Sequence, residues 1–206
     1  MEANWIDWAK RLNAIAQNGL TFAQNSFDVE RYEAVRRIAA EILAAGSDVD
    51  VPHVLDLLSH DAGYATPKVD VRAAIFRDDA LLLVKERDDG RWTLPGGWAD
   101  VGEAPGENVA REVAEECGYQ VHVVKLLAVY DRSQHPHEPP FPFHVYKLFF
   151  RCDIVGGEGA LHYETSDAAF FRSGALPPLS LTRVTPDEID RMFEHHRHPD
   201  WPTDFD

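Results

Sequence analysis

A glycine-rich run feeding an acidic helix constrains this chain more than any other feature. Gly96-Gly97-Trp98-Ala99-Asp100-Val101-Gly102-Glu103 leads through Ala104 to Ala110 into Arg111-Glu112-Val113-Ala114-Glu115-Glu116-Cys117-Gly118. Glu112, Glu115 and Glu116 stand at i, i+3 and i+4, so a helix gathers them on one arc. Val109, Val113 and Cys117 fall on the arc beside it, with Ala110 and Ala114 beyond. One side can therefore pack on a core while the other collects negative charge. Carboxylates this close repel one another unless a cation is shared between them. Mg²⁺ is a hard cation that takes oxygen ligands and binds phosphates as well. The pattern thus predicts a helix over Pro105 to Cys117, closed by Gly118, that holds Mg²⁺ against a phosphorylated substrate.

The same residues resemble the Nudix box, the signature of the Nudix hydrolases. Gly97, Glu103, Arg111, Glu112, Val113, Glu115, Glu116 and Gly118 occupy its fixed positions, and Tyr119 is the one departure, in a slot that packs rather than reacts. An exposed acidic helix face accounts for the glutamates but not for the glycines, Glu103 or Arg111 at these offsets. The resemblance implies an α/β fold: a Nudix α/β/α sandwich with a mixed sheet. It also implies metal ligation by Glu112, Glu115, Glu116 and the main-chain carbonyl of Gly97, with Mn²⁺ as the substitute for Mg²⁺. Glu115 or Glu116 would activate water, and Arg111 with Glu103 would brace the loop on the helix. Glu138 and Glu164 are candidates for a base outside the box.

The resemblance extends further. Trp5, Gln17-Asn18-Gly19-Leu20, Asp28-Val29-Glu30-Arg31-Tyr32, Leu94 to Gly102 and Pro202-Thr203-Asp204-Phe205-Asp206 are similar to one Nudix subgroup. Members of that subgroup hydrolyse nucleoside diphosphates linked to a second group. It implies cleavage to a nucleoside monophosphate and a phosphorylated product, with CDP-choline favoured and ADP-ribose next. A non-catalytic nucleotide sensor is the reading from another class. Such sensors tend to have broken boxes, whereas the three box acids here are intact.

A net charge of −15 argues against nucleic acid and anionic membranes as partners, and it means that local cations must reverse the sign wherever phosphates bind. No apolar run approaches the ~20 residues of a membrane helix. The start, Met1-Glu2-Ala3-Asn4-Trp5, lacks a signal pattern, so a cytoplasmic location is expected. Cys117 and Cys152 make no disulfide framework, and Cys117 is expected as a buried thiol.

Residues 1–64 read as a small helical domain and 65–206 as the catalytic one. Trp5, Trp8, Leu12 and Ile15 form an apolar stripe that stops at Asn18-Gly19. A second helix begins near Asp28 as cap, with Tyr32, Val35, Ile38 and Ile42 on its apolar face and Gly46 past its end. A third spans Val54 to Leu58. Three helices give a thin core, so burial against the catalytic domain or a second copy is expected, and a homodimer is favoured. Trp5, Trp8, Phe22, Phe27 and Tyr32 are candidates for a choline cage, although at helical spacing such aromatics are more often core.

Beyond the linker at Asp61 to Pro67, Val69 to Ile75 and Leu81 to Val84 read as a hairpin about Asp78-Asp79. Arg87 follows it as a candidate phosphate contact. Val121 to Tyr130, His144 to Ile154 and Glu164 to Phe171 read as strands, and Asp131 to Pro142 as a loop carrying His135, His137 and Glu138. Thr185 to His195 reads as a helix, with His195, His196 and His198 at its end. His198 to Asp206 is expected to be an exposed tail.

Overall fold

The computed structural model describes residues 5–159 and 165–206. They form two compact units, one of residues up to Pro67 with Pro140–His144, the other of Lys68–Pro139 with Val145–Asp206.

The first unit is a helical hairpin with a third helix: α1 (Trp5–Phe22), α2 (Ser26–Ala45) and α3 (Val51–Ser59). Its helices close through small residues. Ala9, Ala16, Ala39 and Ala40 are fully buried, and Leu43, Val54 and Leu58 complete the core. A Cβ on Gly19 would lie 2.3 Å from the Tyr32 ring, and one on Gly46 would lie 1.9 Å from that of Trp5. Three sequence expectations change here. Asn25, not Asp28, caps α2, its side chain accepting from the Asp28 amide at 2.9 Å. Trp8, Ile15 and Ile38 stay about half exposed, at 52, 57 and 49%. The alanines occupy the contact in their place, and α1 runs on past Asn18-Gly19 to Phe22.

The second unit is a mixed sheet between two helices, α4 (Pro105–Cys117) and α5 (Pro186–Arg197). Its strands are β1 (Lys68–Arg77), β2 (Ala80–Glu86), β3 (Trp92–Thr93), β4 (Tyr119–Asp131), β5 (Val145–Gly157), β6 (Thr165–Phe171) and β7 (Asp204–Phe205), in the order β3-β2-β1-β5-β4-β7 with β6 on β2. Asp78 and Asp79 take φ of 50° and 59°, the twist a two-residue hairpin needs. β1 is parallel to β5, and its sides serve two cores. Val71, Ala73 and Ile75 pack with Leu82 and Val84 of β2 on Val109, Val113 and Cys117 of α4. On the opposite face Ala74, Leu81, Leu83 and Phe149 meet Ile189, Met192 and Phe193 of α5. Cys117 and Cys152 are free and buried.

The chain after α5 is no exposed tail. Asp204 and Phe205 add a parallel strand to β4. Asp204 accepts from Arg191, from His195 Nε2 at 3.0 Å and from the Tyr130 hydroxyl at 3.1 Å. The Arg191 hydrogen bonds hold the Asp204 carboxyl near 2 against the effect of burial. Asp206 accepts from the Asp131 amide at 2.7 Å. Asp204→Asn should cost about 2 kcal/mol, or roughly 6 °C in Tm, because it weakens charge-assisted hydrogen bonds from several donors at once. Calorimetry on the two proteins checks this, and an unchanged Tm would refute the clasp.

Candidate active site on helix α4

The site is built where the loop between β3 and α4 runs back along β1. Val71 N–H donates to Gly97 O at 2.8 Å, Ala73 N–H to Pro95 O at 2.8 Å, and Ala99 N–H to Val69 O at 2.9 Å. Gly96 has φ of +134°, and a Cβ there would lie 2.0 Å from the Val71 carbonyl oxygen, so only glycine fits. That close approach aims the Gly96 N–H at α4, where it donates to Glu116 Oε2 at 2.8 Å. Glu112 Oε2 lies on the next residue, 3.1 Å from where a Gly97 Cβ would be. Glu112 and Glu116, one turn apart, thus face Gly96 and Gly97.

α4 itself starts and stops as its sequence requires. Ala104 offers no side-chain cap, but Glu107 reaches back to the Ala104 amide at 3.3 Å. Gly118 ends the helix at φ of 66°.

Arg111 collects the remaining acids. Its guanidinium reaches Asp100 at 2.7 Å, Glu103 at 3.0 Å, Glu112 at 3.0 Å and Glu115 at 2.8 Å. The brace between Arg111 and Glu103 is present. The two side chains are 28% and 36% exposed, so the pair is worth about 1 kcal/mol and not the several expected of a buried pair. Arg111 also offsets part of the repulsion between Glu112 and Glu115. Glu115 is turned onto it, and among the described residues no three His, Cys, Asp or Glu side chains stand as a ready-made metal cluster.

Electrostatically the pair is expensive. Burial pushes the Glu116 carboxyl up to about 8, with Glu86 and Glu112 adding repulsion, while Arg72 and the Gly96 N–H oppose the shift. Burial also raises Glu112, and Arg111 pulls it back. Two carboxylates facing a glycine backbone form an all-oxygen donor set, which suits a hard divalent cation.

Beneath them lie residues the sequence reading missed. Asp70 and Arg72 on β1 and Lys147 on β5 are each less than 7% exposed. Arg72 donates to both oxygens of Asp70, at 2.9 and 2.6 Å, and to Leu94 O at 3.1 Å. Lys147 Nζ donates to Asp70 Oδ1 at 2.8 Å and to Arg183 O at 2.7 Å. Burial opposes ionisation of Asp70, yet Arg72 and Lys147 hold it near 2. Glu86 is the other omission. It follows Leu82 and Val84 by the strand period, so it shares their α4-facing side at the mouth of β2. Its register partner Thr165 donates to the Glu116 main-chain oxygen at 2.7 Å. The alternation of Leu82, Val84 and Glu86 was a readable signal.

The other candidates lie apart. Arg87 occupies the exposed turn after β2, and the Glu138 side chain is exposed in the loop before β5. Glu164 lies outside the described residues. His137 is buried, with Nε2 3.1 Å from Glu188, and His135 lies 3.2 Å from Asp206. His195, His196 and His198 make no tract: they meet Asp204, stack on Phe76 and stack on Trp201, respectively. Tyr32 packs over Gly19 and Trp5 over Gly46, at opposite ends of the helical hairpin, so the five aromatics form no cage.

Known proteins resemble this chain along nearly its whole length. A family described as "UDP-X-like, N-terminal oligomerisation domain" matches residues 3–58, and the NUDIX domain matches residues 66–193. The Bacillus subtilis protein YjhB, provisionally named an ADP-ribose pyrophosphatase, is 45% identical over 206 residues, covering 100% of this chain and 99% of its own. The crystal structure of a UDP-X diphosphatase is 34% identical, covers 98% of each chain and superposes with a TM-score of 0.64. That of an ADP-ribose pyrophosphatase from Streptococcus suis is 41% identical over 68% of this chain and 100% of its own, with a TM-score of 0.62. With a family match over most of its length, this chain belongs to the NUDIX family and is a Nudix hydrolase.

Proposed function

We propose that this hydrolase cleaves the pyrophosphate bond of a nucleoside diphosphate linked to a second group, releasing a nucleoside monophosphate and a phosphorylated product. The observation that carries the reading is the Glu112–Glu116 pair set against the Gly96–Gly97 backbone. Glu112, Glu116 and the Gly97 carbonyl, with Glu115, are the proposed ligands of Mg²⁺ or Mn²⁺. When bound, such an ion neutralises charge on the bridging phosphates and lowers the pKa of a water. The chain's own groups do the rest. Arg111 holds Glu112 and Glu115 in place, and the Gly96 N–H fixes Glu116. Glu115, the most exposed acid of the three, keeps one carboxylate oxygen on Arg111 and is open enough to solvent to orient a water or take its proton with the other.

ADP-ribose leads the relatives' names, with a UDP-linked group beside it. CDP-choline, favoured by sequence resemblance, comes after these, because the aromatic residues that would recognise its ammonium lie apart. Residues 65–206 carry the chemistry, and residues 1–64 join two copies into a homodimer, a reading supported by the oligomerisation domain matched there.

The test is a panel of ADP-ribose, CDP-choline, UDP-sugars and dinucleoside polyphosphates with Mg²⁺, read by product release. ADP-ribose plus water should give AMP and ribose 5-phosphate fastest. Tight binding without product, or turnover of dinucleoside polyphosphates alone, would overturn the proposal.

A further inference from the structure

α1 carries a second apolar stripe that its own unit does not use. Trp8, Ile15 and Phe22 are 52, 57 and 67% exposed. They recur every seven residues, so each successive side chain returns to within about 20° of the last. The seam runs about 21 Å along the helix. It stands roughly 100° or more round the axis from the buried Ala9 and Ala16. A strict seven-residue apolar repeat is the pattern by which one helix packs along another.

The seam is also symmetric, with Trp8 seven positions before Ile15 and Phe22 seven positions after. A two-fold interface must complement itself. An open cleft of about 620 Å³, lined by Ile15, Gly19, Phe22, Ala23 and Tyr32 among others, flanks the Phe22 end. We infer that α1 packs antiparallel on α1 of a second copy about a two-fold axis at Ile15. Ile15 then meets the partner's Ile15, and the cleft beside Phe22 receives the partner's Trp8. A parallel arrangement would set tryptophan on tryptophan and leave both clefts unfilled. It would also face the exposed Arg11, one turn from Trp8, with its own copy. The inference rests on the homodimer proposed above and adds which residues meet.

The test uses the full chain with single cysteines. The native Cys117 and Cys152 are both buried and give a low background. Ile15→Cys should be joined by a short bis-maleimide into a species of twice the chain mass. Trp8→Cys and Phe22→Cys should each fail alone and cross-link when the two variants are mixed. Ile15→Lys sets like charges on the axis and should weaken dimerisation about 100-fold by light scattering. Its helical circular dichroism should be unchanged, because position 15 is exposed. A dimeric Ile15→Lys together with an uncross-linked Ile15→Cys would overturn this register and leave the homodimer standing. A wild-type chain that stays monomeric at all concentrations would overturn both.

Discussion

Glu116→Gln should lose about a thousandfold in kcat/KM while keeping the fold. Glutamine preserves the shape and the hydrogen bond from the Gly96 N–H, so the loop stays where it is. What disappears is one negative charge, facing Gly96 and within electrostatic reach of Glu112 and Glu86. Charge neutralisation at a diphosphate is worth several kcal/mol, and each 1.36 kcal/mol is about tenfold in rate. The loss should appear in kcat more than in KM, because this charge matters most as the phosphorus is attacked. Steady-state kinetics with ADP-ribose and Mg²⁺ checks it, and activity within a factor of ten of wild type would remove Glu116 from the mechanism.

The second large effect is on stability, with the opposite sign. In metal-free protein Glu116 titrates near 8 when folded, against a reference of 4.5. Between those values the folded chain keeps a proton that the unfolded chain has released. Stability is therefore greatest below the lower value and declines as pH rises through the upper one. At 1.36 kcal/mol per unit the decline is about 5 kcal/mol. Glu86 and Glu112 are raised too and add to it. Arg72 stays charged throughout and contributes no slope. Urea titrations in chelator from pH 5 to pH 9 should show the wild type weakening much more steeply than Glu116→Gln, which keeps only the smaller slope from Glu86 and Glu112. At pH 9 the inactive variant should be the more stable protein. Added Mg²⁺ should raise the wild-type midpoint at that pH and leave the variant's almost unmoved. Two parallel pH profiles would refute this reading of Glu116. The pairing of lost turnover with gained stability is what a site assembled at the expense of the fold predicts.

Much of this was legible before the structure because short-range chemistry decided it. The α4 boundaries follow from Pro105 and Gly118, and the β1–β2 hairpin from Asp78-Asp79. What escaped was set by partners distant in sequence. Asp204 reads as tail until Arg191, His195 and Tyr130 surround it. Lys147 sits in a strongly apolar strand, and only its register opposite Asp70 explains it. α1 offered two apolar stripes, and periodicity alone does not say that alanines win the inner one. Close helix packing favours the smaller side chains, which leaves Trp8 and Ile15 outside. The three glutamates of the box were correctly placed on one helix, but the reach of Arg111 across to Glu115 is a rotamer outcome that spacing does not encode.

The buried Asp70–Arg72–Lys147 cluster has a consequence for how the protein behaves in changing ionic conditions. Dissolved ions cannot enter it, so the one positive charge it holds in excess is not dimmed as salt rises, whereas the acidic exterior is. Concentrated buffer should therefore quiet the long-range repulsion that a −15 chain exerts on an anionic substrate, without altering the potential felt at Glu116. Moderate salt should speed substrate capture and leave the bound-state chemistry as it was.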